Sequence, residues 1–427
     1  MSAPAIPGRP GSPPPAPAAR GRLKVCSAPV TRLTPARGRS ALGVLFLVVF
    51  VDLLGFGMVI PTMPLYARHF GVSEAITGLL SAGYSAMQLV FAPIWGRLSD
   101  RYGRRPMLLG SIAMTAVGFL GYALAPSFEW LLISRLFAGA ATANLAIARA
   151  YVADVTPPEE RAGGMAIIGI SFGLGFILGP AMGGILTARY SLAAPGYAAA
   201  ALATVNLVAA WFILREPESH ARAAHRPRFA ALFEELKRPG IRGVLLVSFL
   251  SILAFSALEN TFAFLAADAF GVHDHDVPYL FVYIGVLAVL VQGGLIRPLV
   301  RRFGERRLLI AGLAMQAVTF VALPFAGSIT GMLVVLAPMS LGSGLTQPTL
   351  SAILSKLAKK EDQGGTMGLG ESASALGRII GPISGTATYA LAVAFPYVTG
   401  GILMAIAAVV ATTLRAAPAA AAPAMES

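Results

Sequence analysis

The chain has little charge and almost no cysteine. Only 12 % of its 427 residues are Asp, Glu, Lys or Arg, about half the share of a soluble domain. Apolar residues make up 56 % and the mean hydropathy is +0.72. So few charges exclude a soluble multidomain enzyme and point to an integral membrane protein. The single cysteine, Cys26, excludes an internal disulfide, and no CxxC or His/Cys metal spacing occurs. His273 and His275 alternate with Asp274 and Asp276, but a solvated loop is the simpler reading, and no metal or other cofactor is expected. No phosphate-binding loop, Ser/His/Asp set or metalloprotease helix is present, so no enzyme chemistry is expected. The net charge of +13 sits in short links between apolar runs. That placement speaks of topology and not of nucleic acid.

What the chain does have is long apolar helix. Twelve segments can be read, over about residues 41–65, 75–96, 106–125, 129–150, 162–186, 194–214, 242–267, 277–297, 307–325, 328–353, 364–390 and 393–414. Most reach about 20 residues, enough to cross roughly 30 Å of hydrocarbon. The cations alternate: seven in the first 40 residues, four in 97–105, seven in 215–242, five in 297–307 and three in 356–360, against only Arg68 and Arg189 in the other set of links. By the positive-inside rule both termini are expected in the cytoplasm.

Residues 1–40 are rich in Pro, Ala, Gly and Arg and read as a disordered tail without the apolar core of a signal peptide. Within 216–241, Phe229, Leu232, Phe233 and Leu236 follow helical spacing and read as a short amphipathic helix on the membrane face. This link separates an expected six-helix bundle over 41–215 from a second over 242–415, with a tail over 416–427.

The densest motif is Gly96-Arg97-Leu98-Ser99-Asp100-Arg101-Tyr102-Gly103-Arg104-Arg105-Pro106, between the second and third segments. Gly96 and Gly103 are expected to turn the backbone, and Asp100 suits the positive end of a helix. The second half carries a weaker copy, Arg297-Pro298-Leu299-Val300-Arg301-Arg302-Phe303-Gly304-Glu305-Arg306-Arg307, in which Arg301 replaces the acid. Repeated membrane bundles are a transporter signature, with the substrate site between them.

On these residues the chain resembles the twelve-helix drug:proton antiporters of the Major Facilitator Superfamily. Residues 96–106 resemble that group's loop signature, and Arg135-Leu136-Phe137-Ala138-Gly139 resembles its fourth-helix arginine motif. The run from Gly175 through Gly179, Pro180, Gly183 and Gly184 resembles its fifth-helix antiporter motif. Asp52-Leu53-Leu54-Gly55-Phe56-Gly57 and the stretch Ala150–Thr156 are similar to tetracycline exporters, although segments 106–125 and 307–325 lack the further acids those exporters carry. The resemblance implies an all-α fold of two pseudo-symmetric six-helix bundles in a bacterial inner membrane, working as a monomer. It also implies a small-molecule substrate moved by alternating access in exchange for protons. Import or uniport on the same fold is the alternative, and a non-transporting receptor or scaffold is a third.

The resemblance further implies a gate in which Asp100 faces the start of the eleventh helix and Arg104 pairs with Asp154, with Arg105 in the same loop. It implies a switching helix whose glycine face meets the interface between halves. Charges inside the segments are the other candidates, because a mid-helix charge costs about 2.5–3.5 kcal/mol on insertion scales and needs a cavity or partner. These are Asp52, Arg135, Glu259, Glu371 and Arg378. Arg135 reads as a substrate or carboxylate partner, with a structural ion pair nearly as good. Glu259, beside Asn260, reads as an acid in the outer cavity or a cap at a helix break. Gln88, Asn144, Gln292 and Gln347 are candidate hydrogen-bonding groups, and Phe56, Tyr84, Phe262 and Phe264 candidate aromatic walls.

Overall fold

A computed structural model describes residues 35–142, 144–155, 161–216, 236–272, 276–358 and 363–414. Residues 1–34 and 415–427, most of the amphipathic link and the His273–His275 cluster lie outside the described residues. Residues 35–40, expected in the disordered tail, instead open the first helix, because the apolar run that follows carries the helix back into them. Every regular element among the described residues is helical.

Each of the twelve apolar segments is a helical run. α1 is Pro35–Val59, prolonged through a 3₁₀ turn (Ile60–Thr62) into Met63–His69. α2 is Glu74–Tyr102, α3 Arg104–Ala123, α5 Arg161–Arg189 and α6 Ala194–Ile213, while α4 is two pieces, α4a (Phe128–Ala141) and α4b (Asn144–Val155). α7 is Pro239–Phe270. α8 runs Val277–Leu290, passes a π-helical turn (Val291–Leu295) and ends as Ile296–Phe303. α9 is Glu305–Ala322, α10 Ile329–Leu357, α11 Gln363–Leu391 and α12 Phe395–Thr413. Among the described residues, eight runs are long and apolar enough to span a bilayer by length and composition. The others are the two interrupted runs, α4 and α8, and the glycine-rich α5 and α11.

Packing repeats between halves. α1 packs on α5 and α6, and α7 correspondingly on α11 and α12; α3 packs on α4a and α6, and α9 on α10 and α12. The cross-contacts obey the same pseudo-twofold relation, since α2 meets α11 and α5 meets α8. The outer surface is apolar: Val205, Phe212, Val318 and Leu391 are 66 %, 80 %, 70 % and 76 % exposed. Such a belt suits lipid and not water.

The break in α4 has a local account. Thr142 leaves the helical region (φ −76°, ψ 97°), which frees the carbonyls before it. Trp95 Nε1 on α2 donates to Ala140 O at 2.7 Å, and Ser111 Oγ on α3 donates to Ala141 O at 2.7 Å. Neighbouring helices thus satisfy the freed groups, which is the condition for an interruption at membrane depth.

The antiporter-like glycines fall elsewhere than the resemblance implies. A Cβ on Gly175 would stand 2.8 Å from Leu53 Cβ, and one on Gly179 2.7 Å from Gly57 Cα. A Cβ on Gly183 would collide with Met58 O. The smooth face of α5 therefore seats α1 of the same half, and it does not form the interface between halves. Pro180 rests beside Gly57 and Gly184 is buried. α11 repeats the device, with Gly377, Gly381 and Gly385 against Leu253, Ser256 and Ala257 of α7. Close backbone approach through small residues is what packs helices when lipid supplies no hydrophobic drive between them.

Candidate functional site

Between the halves lies a cavity lined by both polar and apolar residues. Phe56, Ile60 and Met63 of α1, Ser81, Tyr84 and Ser85 of α2, and Arg135 of α4a line one side; Ser256, Glu259 and Asn260 of α7 and Arg378 and Pro382 of α11 line the other. Three charged side chains, Arg135, Glu259 and Arg378, thus converge from both halves.

Arg135 is 0 % exposed, and none of its three guanidinium nitrogens has a hydrogen-bond partner. Its guanidinium lies over the Tyr84 ring, 4.6 Å from the centroid. Its ionisable neighbours are the phenols of Tyr84 and Tyr122. The structural ion pair read for Arg135 is therefore not formed among the described residues. Tyr84 is held by its hydroxyl, 3.1 Å from Thr142 Oγ1 at the α4 break, and by ring contact with Phe56, 4.9 Å between centroids.

Glu259 faces the cavity from an unbroken α7, so the helix-break reading of this residue is withdrawn. Next to it, Asn260 Oδ1 accepts from Ser81 Oγ at 2.6 Å, a bond between the two halves. Arg378 lies within electrostatic reach of Glu259 and 3.8 Å from Glu371, which stands two turns earlier on the same face. Asp52 is not in the lining. It accepts from Asn144 Nδ2 at 2.9 Å, at the start of α4b, and lies within electrostatic reach of Tyr84. Asn144 is thus an interhelical partner, presented by the break in α4. Gln88 is half-buried on α2 outside the lining, and the side chain of Gln292, in the π-helical turn, lies outside the described residues. Phe262 and Phe264 are fully buried, packed on Phe281 and Tyr389, and do not wall the cavity.

The loop after α2 is built more tightly than its sequence suggests. Gly96 lies inside α2 and makes no turn. The turn belongs to Gly103 alone, at φ 107° and ψ 151°. Arg104 Nε donates to Asp154 Oδ2 at 2.8 Å, as expected, and Arg104 also pairs with Asp100 at 2.6 Å. Glu216, just past α6, was missed: its carboxylate accepts from the backbone N–H groups of Arg104 and Arg105 at 2.7 and 2.9 Å. A carboxylate there offsets the positive N-terminus of α3. Its place as the first acid after the sixth segment was the available signal. Arg105 reaches Trp211 O at 2.7 Å. These contacts lace α2, α3, α4b and the end of α6 within one half.

The second half repeats this with one inversion. Gly304 turns at φ 78°, and Arg306, placed like Arg105, donates to Thr412 O at the end of α12. Where Arg104 pairs with Asp154, Glu305 pairs with Lys356 at 2.7 Å, the two signs exchanged.

Polar contacts between halves form at mid-depth and at the end opposite these basic loops. Arg68 at the end of α1 pairs with Glu74 at 3.0 Å and with Asp268 of α7 at 3.1 Å, and Tyr389 of α11 donates to Asp268 at 2.8 Å. Thr386 of α11 meets Ala75 O at 3.3 Å. At the basic end, the last piece of α8, Ile296–Phe303, packs on the flanking elements of its own half. The molecule is closed at the Arg68 end.

Comparison with known proteins agrees with this architecture. The chain is 30 % identical over 368 residues to multidrug resistance protein 2 of Bacillus subtilis, covering 84 % of this chain and 91 % of that protein. It is 33 % identical over 364 residues to the class C tetracycline resistance protein of Escherichia coli, covering 83 % and 91 %. The crystal structure of the human organic anion transporter MFSD10 (TETRAN) superposes with a TM-score of 0.68 at 26 % identity, covering 89 % of this chain and 100 % of that one. Residues 45–382 and 294–426 match the Major Facilitator Superfamily model, and, with twelve helical runs in two packed halves among the described residues, the chain belongs to that superfamily of multi-pass membrane transporters.

Proposed function

We propose that the protein is a secondary exporter of small amphipathic molecules in exchange for protons, working by alternating access. The observation that carries this reading is the cavity between halves, where Arg135, Glu259 and Arg378 converge beside an aromatic wall. The names of the multidrug and tetracycline resistance relatives support export of drug-like substrates. On this reading the basic end faces the cytoplasm of a bacterium, as the Lys/Arg distribution directs. The described state is then inward-facing. The Asp100–Arg104–Asp154 cluster is the cytoplasmic gate, poised to meet α11 when that side closes.

Proton coupling requires an acid that each side reaches in turn, with different proton affinity in the two states. Glu259 in the cavity and Asp52 behind its Tyr84 wall are the two acids placed for it. One charge moved through 100 mV supplies about 2.3 kcal/mol, enough to drive export with one or two protons. In proteoliposomes with an imposed pH gradient, Glu259→Gln and Asp52→Asn are each expected to lose gradient-driven flux and to keep downhill exchange. Unchanged gradient-driven flux in either variant removes that residue as a coupling acid, and unchanged flux in both removes the coupling scheme.

A further inference from the structure

Arg135 poses a chemical question that export of an amphipath alone does not answer. A guanidinium carries donors in a rigid fork that fits an oxyanion with two parallel hydrogen bonds. Here that fork is fully buried, borders the cavity and has no hydrogen-bond acceptor on any nitrogen. The face of the Tyr84 ring lies close to it, 4.6 Å from the centroid. The ionisable groups around it are Tyr84 from α2 and Tyr122 from α3, with Asp52 of α1 behind Tyr84, where it accepts from Asn144, and, across the cavity, Glu259 from α7 and Arg378 from α11. The acids there serve the other cation. Arg378 has Glu371 at 3.8 Å and Glu259 within electrostatic reach. The cavity therefore holds two cations and one facing acid, and the cation left over is the more deeply buried one. Keeping a charge out of water without a counter-charge is costly, and an apolar or amide side chain of similar size would be cheaper. The charge is intelligible if an anion arrives during the cycle.

We propose that the cavity recognises its substrate by an acidic group, a carboxylate or similar oxyanion, which docks on Arg135 while an apolar body lies against Phe56 and Tyr84. This rests on the cavity being the transport site. The class of substrate is an amphipathic organic acid. A neutral or cationic drug brings no counter-charge to the Arg135 fork.

The test uses the full-length protein in detergent and in proteoliposomes, with naphthaleneacetate, its neutral primary amide, and acetate as probes. Naphthaleneacetate is expected to bind at least about tenfold more tightly than the amide, with acetate far weaker than either because it lacks the ring. Arg135→Gln should erase the preference for the acid, and Arg135→Lys should keep part of it. A readout without ligand accompanies this: unliganded Arg135→Gln should melt at or above the wild-type temperature, since it removes an uncompensated buried charge. Equal binding of acid and amide, binding of neither, acetate as tight as naphthaleneacetate, or Arg135→Gln melting several degrees lower overturns the proposal. The transport-site reading fails differently. Ser81→Trp fills the cavity, and uptake that persists in it shows that the cavity is not the route. Uptake blocked by Ser81→Trp, with acid and amide handled alike, defeats the acidic-group inference alone.

Discussion

Gly103 shows how much one residue can decide in this fold. Its φ of 107° is closed to most side chains, and a Cβ there would lie 3.0 Å from the Glu216 carboxylate that caps α3. The glycine thus serves the turn and admits the cap. Gly96, its partner in the sequence motif, has open space around it within α2 and serves neither end. Gly103→Ala is expected to cost about 1–3 kcal/mol through strain and loss of the cap contact, while Gly96→Ala, which favours helix, should be neutral or slightly stabilising. Thermal melting of the two purified variants checks this; equal melting temperatures would remove the special role of Gly103. The sequence showed two glycines seven apart, and only the backbone separates a turn from a helix interior.

At the scale of elements, the two halves share a plan and differ in sign. Arg105 and Arg306 each tie the start of one helix to the last turn of another, α3 to α6 and α9 to α12. The neighbouring ion pairs are reversed, Arg104–Asp154 against Glu305–Lys356. Such pairs order loops but are worth only about 0–1 kcal/mol when exposed. Lys356 is 55 % exposed along its side chain and Arg104 13 %, so the first pair is the less screened. Asp154→Lys alone should reduce transport severalfold, and combining it with Arg104→Glu should restore part of it. The corresponding exchange of Glu305 and Lys356 should change transport little. Initial rates of uptake into inverted vesicles at matched expression give the comparison, and no rescue in the first pair would detach it from gating. The glycine faces of α5 and α11 belong to this scale too. Their period of four was legible from the sequence, but a period names a smooth face and not the helix it meets.

For the whole molecule, closure at the Arg68 end sets the state. Arg68, Glu74, Asp268 and Tyr389 join α1, α2, α7 and α11, and Arg68 also lies 4.6 Å from the Phe264 ring centroid. Its ion pairs are about one-third exposed, so each contributes modestly. Removing the Arg68–Asp268 pair with Asp268→Asn should shift the population toward opening at that end by roughly two- to fivefold, in line with about 0.5–1 kcal/mol. Spin-label distances across that end, between α1 and α7, report the shift; an unchanged distribution would show that Ser81–Asn260 and the α2–α11 contact suffice to hold it shut.

The sequence by itself determined the membrane class, the twelve segments, the internal repeat and the charge asymmetry of the links, because hydropathy and Lys/Arg placement act through the bilayer whatever the tertiary detail. It also named Arg104 with Asp154, a pairing carried by motif resemblance. Only the tertiary structure decided which intramembrane charges meet. Asp52, Arg135, Glu259 and Arg378 look alike along the chain, each a costly charge in a helix. Packing sets Asp52 on Asn144, brings Glu259 across to Arg378, and leaves Arg135 with no acceptor beside the cavity. Which partner a charge finds depends on the rotation of its helix and on residues far away in sequence, and a one-dimensional pattern of apolar runs carries neither.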